Sequence, residues 1–522
     1  MNPNRRLFLK HLGLATLAPW ALADQKTLTG LARARPEAEG VSSSGILAFL
    51  EAMEQTKHEL HSFMMLRHGK VVAEGWWDPY GPDFKHTMYS MSKSFTSTAV
   101  GFAVAEGKLK VEDKVVSFFP DDLPATISDN LAALRVRDLL TMSAGNEKEP
   151  TQVCVKSENW VRTFLAQPIT HKPGTEFMYN SAATYMCSAI VQKLTGQKVI
   201  DYLTPRLFEP LGISGMTWET CPRGINTGGW GLSIRTEGLA KFGQLYLQKG
   251  MWNGRQILSA KWIEEATTFK IQQPGGDKPG RPKAKNDWMQ GYCYQFWRCQ
   301  HNAFRGDGAF GQFTIVLPEK DVVIVMTSET KDLQGQLDLV WEHLLPALGD
   351  AALAADGASQ SRLQNTLKSL ALKPPKGHVS SPAAERINGR RYTLEKNEAG
   401  FTSAGFTLKD GTCSLSLHDA TAAHSISCGI GKWHRGETTM PAPRLISGGA
   451  PKPGTSFKIA SSATWKDDRT LELTSRYYET PHSDTLTCVF DADNVTISFM
   501  SSTSAMNGRK DARPDLKGKL SA

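Results

Sequence analysis

Apolar residues recur at helical spacing between residues 46 and 53, and Ser42 stands just before them. Serine is favoured before a helix because its hydroxyl accepts a hydrogen bond from a free backbone N–H, so the pattern predicts a helix that begins after Ser42. Two apolar runs follow, residues 63–67 and 71–76, with His68-Gly69 between them. This arrangement predicts two antiparallel strands joined by a tight turn.

The pattern further along predicts a helical region and then more strands. Residues 109–270 are mainly helical in pattern, residues 291–328 return to strands, and residues 333–348 predict a closing helix. This order predicts an α/β (α+β) sandwich with a mostly antiparallel sheet, helices on both faces and a helical insert. We expect an active site where the insert meets the sheet, since small-molecule sites favour such clefts.

The chain changes character in residues 351–387, where Pro, Gly and Ser clusters surround a short helical piece. We interpret this segment as a linker. Residues 388–522 then carry short alternating strands separated by Gly, Asp and Asn turns, which predicts a small antiparallel barrel or sandwich. The predicted organisation is a first domain of residues 36–350, the linker, and an all-β accessory domain in which the sequence indicates no chemistry.

The first residues have the order of an export signal. Asn4-Arg5-Arg6-Leu7-Phe8-Leu9-Lys10 resembles a twin-arginine motif, an apolar stretch covers residues 12–22, and Ala21-Leu22-Ala23 suits a cleavage site. We therefore predict a signal peptide at residues 1–23 and a periplasmic or secreted protein. The alternative, an amphipathic helix of the mature protein, does not explain this order. The apolar stretch is too short for a membrane span, and no longer one follows.

Composition and charge indicate an ordinary globular protein and give no sign of a nucleic-acid-binding one. The 522 residues are 40% hydrophobic and 21% charged, as in ordinary globular proteins, and they suffice for two or three domains. The net charge of +8 falls by three when Arg5, Arg6 and Lys10 leave with the signal. So mild an excess of positive charge gives no case for nucleic-acid binding.

The metal-binding residue types show no ligand pattern. The chain has eight cysteines, and none of them has metal-ligand spacing. His58-Glu59-Leu60-His61 contains two histidines without the spacing of a zinc-binding helix, and we interpret this stretch as surface. We predict no metal and no cofactor.

The stretch Ser90-Met91-Ser92-Lys93 carries the strongest chemical signal. It opens a predicted helix with apolar residues at helical spacing up to Gly107, so the hydroxyl of Ser90 and the amine of Lys93 lie one turn apart on one side. Burial lowers the pKa of a lysine, and the neutral amine can take the proton of a neighbouring serine. The simpler alternative is that Ser90 only caps the helix.

A second pair with the same spacing serves as a comparison. Ser328-Glu329-Thr330-Lys331 follows the β-branched run of residues 322–326, which predicts a buried strand. Residues three apart do not share a face at the end of a strand. We therefore interpret this second pair as structural.

Two other stretches could complete a site around Ser90. In residues 173–181 a turn precedes Tyr179 and Ser181, and a lysine ammonium nearby would draw the tyrosine toward its phenolate and let it shuttle a proton. Residues 304–312 are glycine-rich and precede a strand, where backbone N–H groups could stabilise an oxyanion. Each has a simpler explanation, a core tyrosine at a helix start and a glycine-rich hairpin.

These three motifs, in this order, resemble the serine β-lactamase and penicillin-binding-protein superfamily. The most similar branch is the class C-like group that also holds DD-peptidases, esterases and 6-aminohexanoate-dimer hydrolases. Residues 136–145 and 229–233 match as well, and the resemblance covers about residues 37–349. The C-terminal segment resembles the lipocalin-like domains appended to some of these hydrolases.

The resemblance implies Ser90 as the acylated nucleophile, Lys93 as its proton acceptor and Tyr179 as the partner base. It places a second group of residues around the substrate, namely Ser181, Asp307, Gly308 and Ala309. The N–H groups of Ser90 and Ala309 would bind the oxyanion.

Two departures from the family pattern bear on the substrate. Ser181 stands where the family often has Asn, and its shorter side chain reaches less far toward a substrate amide. Gly306 stands where the family often has Lys or His, a cation that helps hold the substrate carboxylate in β-lactamases. Arg305 is the alternative cation, but on a strand it would point to the opposite face from Gly306.

We therefore expect an exported serine hydrolase that cleaves ester or small amide bonds through an acyl-enzyme on Ser90. Its partner would be a small ester, amide or peptide-like substrate, with no nucleic acid and no membrane span. Two alternatives remain, a non-catalytic cell-wall sensor of the same fold, and a true β-lactamase or DD-carboxypeptidase. Intact Ser90, Lys93 and Tyr179 disfavour the sensor, and Gly306 disfavours the other alternative.

Overall fold

The computed structural model describes residues 30–276, 280–446 and 454–521. The predicted signal peptide, residues 1–23, lies outside the described residues. No helix in the described part of the chain combines the length and the apolar character that crossing a bilayer requires.

Short strands and longer ones alternate with helices in the first part of the chain. The strands are β1 Ala32–Arg33, β2 Glu59–Arg67, β3 Lys70–Trp76, β4 His86–Thr87, β5 Thr217–Trp218, β6 Leu232–Ile234, β7 Met251–Trp252, β8 Arg255–Gln256, β9 Trp297–Arg298, β10 Phe304–Gly308, β11 Gln312–Leu317 and β12 Val322–Glu329. The helices are α1 Ser43–Gln55, α2 Ser92–Ala105, α3 Asp129–Ala133, α4 Val136–Leu140, α5 Thr151–Cys154, α6 Trp160–Leu165, α7 Ser181–Thr195, α8 Val199–Leu203, α9 Thr236–Leu247, α10 Ala260–Thr267 and α11 Leu333–Leu339.

The central sheet has the strand order β1-β3-β2-β12-β11-β10-β9 and is antiparallel except for the pairing of β1 with β3. One face packs on α1 and α11 through side chains such as Phe63 and Ile315. The other face packs on α9 and α2, and α7 packs on α2 in turn; the large core around Phe95 lies here. Helices on both faces of an antiparallel sheet confirm the predicted fold class.

The predicted start of α1 and the predicted hairpin are both present. The Ser42 hydroxyl accepts a hydrogen bond from the N–H of Gly45 at 3.3 Å, as a helix cap should. His68 and Gly69 join β2 to β3 with φ angles of 50° and 73°. Two consecutive left-handed residues give the turn whose twist suits a two-residue hairpin.

The C-terminal region forms a closed barrel. Its strands are β13 Arg390–Leu394, β14 Ser403–Lys409, β15 Thr412–His418, β16 Ala423–Ile430, β17 His434–Thr438, β18 Phe457–Trp465, β19 Thr470–Arg476, β20 Ser483–Asp491, β21 Asn494–Ser501 and β22 Leu516–Leu520. Among the described residues, nine strands close the barrel through the pairing of β16 with β18, and β17 lies outside on the edge of β18. This closed sheet confirms the predicted all-β fold and decides between barrel and sandwich in favour of the barrel.

The segment between the two regions contains helices α12 Gly357–Lys368 and α13 Ala383–Ile387, and α14 Ser502–Met506 follows β21. Helix α12 packs on the first region, because Leu363 is buried in the same core as α1. A Cβ atom on Gly75 of β3 would lie 2.6 Å from the Leu370 side chain, so the glycine lets this segment approach the strand. The predicted linker is therefore packed structure over part of its length.

The expectation that the two histidines of residues 58–61 lie on the surface is wrong. His61 is fully buried, and its ring nitrogens face His86 at 3.0 Å and Glu59 at 3.1 Å. Glu59 also forms a bidentate ion pair with Arg476 of the barrel, at 2.6 and 2.9 Å. The barrel covers this stretch, and a contact between segments so far apart in sequence has no local signal.

Candidate active site

Ser90 lies in a 3-10 turn, Tyr89–Met91, immediately before α2. The turn is fastened to β6, because the N–H of Met88 donates to the carbonyl of Leu232 at 2.8 Å. The hydroxyl of Ser92 in turn accepts from the N–H of Leu232 at 3.1 Å. Tyr89 has a φ of 46°, a left-handed conformation that side-chain-bearing residues seldom adopt. Ser90 itself is partly exposed at the end of this fixed turn.

Lys93 lies in the first turn of α2 and is only 2% exposed. Its Nζ contacts the Oγ of Ser90 at 3.0 Å, the Oγ of Ser181 at 3.0 Å and the carbonyl oxygen of Gly229 at 2.7 Å. Burial lowers the pKa of Lys93 to about 7, although the charges of Glu149 and Asp307 oppose this shift. At neutral pH, Lys93 is therefore a neutral amine in a substantial fraction of the molecules.

Tyr179 lies beside the same two side chains, at the entrance to α7. The Lys93 Nζ is 4.8 Å from the centroid of its ring, and the Tyr179 hydroxyl interacts with the Ser90 hydroxyl. The Tyr179 ring also stacks on Trp297, with centroids 5.8 Å apart. The structure thus brings Ser90, Lys93 and Tyr179 together, as expected from the sequence.

The expectation that Tyr179 is drawn toward its phenolate is not met. Burial, and then the negative charge of Asp307, raise the pKa of Tyr179 above its ordinary value. The interaction with Ser90 and the more distant charge of Arg305 offset only part of this shift. Because Lys93 itself tends toward the neutral form, it supplies little positive charge, and Tyr179 is a phenol that can donate a proton.

Ser181 is the first residue of α7, and Asn180 caps this helix. The Ser181 hydroxyl is a partner of Lys93, so its short side chain fits against the amine. The Ser181 N–H donates to Glu149 Oε1 at 3.1 Å. Glu149 was not singled out in the sequence, because nothing local distinguishes an exposed loop carboxylate that becomes a neighbour of the site only through folding.

The glycine at position 306 is explained by close packing. A Cβ atom there would lie 2.5 Å from the Met91 sulfur and 2.7 Å from the Ser94 hydroxyl oxygen, so α2 occupies the space of a side chain. Arg305 points to the opposite face, as predicted, and is fully buried between β10 and Trp288, 4.3 Å from that ring. Gly306 has no side chain and Arg305 lies on the opposite face, so neither residue supplies a cation beside Ser90.

Asp307 pairs with Arg305 on that opposite face, where Arg305 Nε donates to Asp307 Oδ2 at 3.0 Å. Asp307 is 8% exposed, and burial raises its pKa while Arg305 opposes the shift. Its charge still acts on Lys93 and Tyr179. The negative charge of Asp307 therefore raises the pKa of both Lys93 and Tyr179, while its buried side chain has little surface to offer a substrate.

Strand β10 passes directly against the turn that carries Ser90. A Cβ atom on Gly308 would lie 2.1 Å from the carbonyl oxygen of Met88, so only glycine permits this approach. On the other side of Ala309, the ring of Phe310 contacts the ring of Tyr89 with centroids 5.4 Å apart. Ala309 thus lies between two residues that contact residues 88 and 89, which precede Ser90.

The comparison pair at residues 328–331 has no such arrangement. Ser328 is fully buried, and its hydroxyl donates to the carbonyl oxygens of Phe310 and Gly311, each at 2.8 Å. Lys331 instead reaches the carbonyl of Met506. Identical spacing at a strand end therefore gives two unrelated contacts, which confirms the structural interpretation.

Other residues of the site were recognised only in part. The stretch around Gly229 was noted as a match, but its role as the carbonyl partner of Lys93 appears only in the structure. Among the described residues, no group of three or more His, Cys, Asp or Glu side chains has a geometry that could hold a metal ion.

Comparison with known proteins gives a consistent picture. A family model described as Beta-lactamase matches residues 48–346. The 6-aminohexanoate-dimer hydrolase of Paenarthrobacter ureafaciens is 26% identical over 320 residues, 57% of this chain and 80% of that protein. Protein flp of Staphylococcus aureus is 24% identical over 172 residues, 30% of this chain but only 34% of its own length.

Among solved structures, a putative 6-aminohexanoate-dimer hydrolase from Bacillus anthracis superposes with a TM-score of 0.50 at 20% identity. The match covers 62% of this chain and 90% of that one. At 20% identity, this superposition shows a shared fold and nothing about the substrate.

Proposed function

Because the chain belongs to the beta-lactamase family and has the fold of its hydrolases, we propose that it is a serine hydrolase acting through an acyl-enzyme on Ser90. The observation that carries the proposal is the contact between Ser90 Oγ and the buried, partly neutral amine of Lys93 at 3.0 Å. A serine becomes a nucleophile when an adjacent base can take its proton.

Acylation begins with attack of Ser90 Oγ on the substrate carbonyl carbon. The Ser90 proton passes to Lys93 Nζ, which becomes an ammonium held by the Gly229 carbonyl. The carbonyl oxygen becomes an oxyanion that the N–H groups of Ser90 and Ala309 stabilise. Collapse of this intermediate breaks the bond to the leaving group and leaves an ester on Ser90.

Tyr179 supplies the proton that the leaving group needs. Its raised pKa keeps it a phenol, so it donates to the departing oxygen or nitrogen and recovers a proton from the Lys93 ammonium. Lys93 is then neutral again and can accept a proton from a water that attacks the acyl carbonyl. That step releases the acid and returns the proton to Ser90, so the cycle is balanced.

We propose esters and small amides as substrates. The 6-aminohexanoate-dimer hydrolase relative acts, by its name, on an amide, which is compatible with this chemistry. The position that would hold a carboxylate-binding cation is Gly306, and the side chains of Met91 and Ser94 occupy the space beside it. A site without this cation favours substrates that need no carboxylate for binding.

We further propose that the protein is exported to the periplasm or secreted through the twin-arginine signal at residues 1–23. The test is the N-terminus of the mature protein from a cell fraction, determined by mass spectrometry. A mature chain beginning at Asp24 supports export, and an uncleaved cytoplasmic chain contradicts it.

The function is tested with a substrate panel on the purified protein. It contains p-nitrophenyl esters, short amides, D-amino-acid peptides and a chromogenic cephalosporin, each measured for the wild type and for Ser90→Ala. We expect turnover of esters or small amides that Ser90→Ala abolishes. Acylation of Ser90 without turnover of any compound would favour the cell-wall sensor, and rapid cephalosporin hydrolysis would favour a true β-lactamase.

A further inference from the structure

The hairpin between β19 and β20 of the barrel, residues 477–482, contacts the residues that come just before Ser90. The carbonyl of Glu479 accepts from the N–H of Thr87 at 3.0 Å, three residues before Ser90. The Tyr80 hydroxyl donates to the carbonyl of Thr480 at 3.2 Å. The barrel is therefore fastened to the segment that leads into the nucleophile turn.

His482, the last residue of this hairpin, is fully buried and has partners at both ring nitrogens. Nδ1 faces Glu329 Oε1 at 2.6 Å, and Nε2 hydrogen-bonds the hydroxyl of Tyr89. Burial raises the pKa of Tyr89 above its ordinary value, so its hydroxyl keeps its proton, and in a neutral imidazole with hydrogen on Nδ1 it is Nε2 that accepts from this hydroxyl. Glu329 accepts from Nδ1, which fixes the tautomer and the orientation of the ring.

The His482 ring also packs against two residues that flank the candidate site, Tyr89 before Ser90 and Phe310 after Ala309. The centroid of His482 lies 4.8 Å from that of Phe310 and 5.7 Å from that of Tyr89. Tyr89 and Phe310 both have left-handed backbone conformations, with φ angles of 46° and 68°. Such conformations persist when surrounding contacts hold them. One barrel side chain holds the residue before Ser90 and the residue after Ala309.

We propose that His482 is a positioning residue for the oxyanion-binding N–H groups of Ser90 and Ala309, and that the barrel thereby completes the active site. This inference rests on the proposed function. His482 touches neither substrate nor the reacting atoms, and it acts through Tyr89 and Phe310. Oxyanion stabilisation depends on donors placed in advance, so loss of this support lowers the rate of acylation more than substrate binding.

The test compares the rate constant for fluorophosphonate labelling and the separate kcat and KM values for a p-nitrophenyl ester. His482→Phe keeps a ring but removes both nitrogen contacts, and His482→Gln keeps an acceptor for Tyr89 and a donor for Glu329. The matched control is Arg435→Ala, which removes a contact between the barrel and Asp78 at 2.8 Å but none of the contacts of His482 with Tyr89, Glu329 or Phe310. Melting temperatures are recorded for all variants.

We expect His482→Phe to lower kcat and the labelling rate about tenfold or more with KM nearly unchanged. His482→Gln should recover part of this loss, and Arg435→Ala should match the wild type. If His482→Phe does not fold, Tyr89→Phe, which deletes only one hydroxyl, should show the same loss in kcat.

If His482→Phe folds and shows wild-type rates, the inference is overturned and the assignment of Ser90 stays intact. If His482→Phe does not fold, wild-type rates in Tyr89→Phe have the same consequence. A wild-type protein that takes no label and hydrolyses no ester would overturn the proposed function together with this inference.

Discussion

The shortest hydrogen bond of Lys93 runs to the carbonyl oxygen of Gly229, at 2.7 Å. A carbonyl can only accept, so this contact fixes one N–H of the amine, and Ser181 Oγ at 3.0 Å accepts a second. A neutral amine has one lone pair left, and the remaining contact is Ser90 Oγ at 3.0 Å. The backbone at Gly229 thus helps to orient the Lys93 amine toward Ser90.

The first prediction concerns the pH dependence of the rate. The pKa of Lys93 is lowered to about 7, and only the neutral amine can deprotonate Ser90. We expect kcat/KM for a neutral ester to rise about tenfold per pH unit below this pKa and to level off above it. The measurement is a kcat/KM profile between about pH 5 and pH 9. A profile that is flat across neutrality would remove Lys93 as the base.

The second prediction concerns stability. The pKa of Lys93 is about 7 in the folded protein and 10.5 in the unfolded chain, so between these values the unfolded state binds more protons. The contribution of Lys93 to the free energy of unfolding therefore increases as pH rises, by at most about 1.4 kcal/mol per unit.

Urea unfolding of the wild type and Lys93→Met at pH 7 and pH 9 measures this contribution. Lys93→Met should lose catalysis, remain folded and show a smaller gain in stability with pH than the wild type. An identical pH dependence in the two proteins would contradict the lowered pKa.

The third prediction concerns Tyr179 as a proton donor. Tyr179→Phe removes the hydroxyl but keeps the ring that stacks on Trp297 at 5.8 Å. An amide leaving group needs a proton far more than p-nitrophenolate does, so kcat should fall roughly 10²–10⁴-fold for an anilide and much less for a p-nitrophenyl ester. Parallel assays with both substrates measure this difference. Equal losses for the two would show that Tyr179 has another role.

The fourth prediction uses two glycines of β10 as a matched pair. Gly308→Ala brings a Cβ atom to 2.1 Å from the Met88 backbone, which must move the nucleophile turn. Gly306→Ala meets the flexible end of Met91 at 2.5 Å, which can turn aside, and the Ser94 hydroxyl at 2.7 Å. We expect Gly308→Ala to destabilise by about 1–3 kcal/mol or more and to lose labelling, and Gly306→Ala to lose less of both. The reverse order would contradict the packing of β10 on this turn.

Local patterns predicted the elements that local chemistry determines. The cap at Ser42, the hairpin at residues 68–69 and the helix after Ser90 follow from apolar spacing and turn residues, and all are present. The convergence of Ser90, Lys93 and Tyr179 followed from motif order. Barrel strands β13, β16, β17 and β22 were not singled out; β13 and β17, for example, are short and carry few apolar residues, so the alternating pattern is weak there.

Features that depend on distant contacts could not be predicted in this way. The protonation state of Tyr179 depends on burial and on Asp307, which lies far along the chain. The buried position of His61 depends on Arg476 and its neighbours in the barrel. The contact of Tyr89 with His482 joins residues separated by 393 positions, and no periodicity or spacing links them.

Mass spectrometry of the protein after treatment with a fluorophosphonate shows whether Ser90 is the residue that is modified. We expect one added phosphonyl group, located by peptide fragmentation on Ser90 and absent from Ser90→Ala. Modification of a different residue, or labelling that survives in Ser90→Ala, would contradict this expectation.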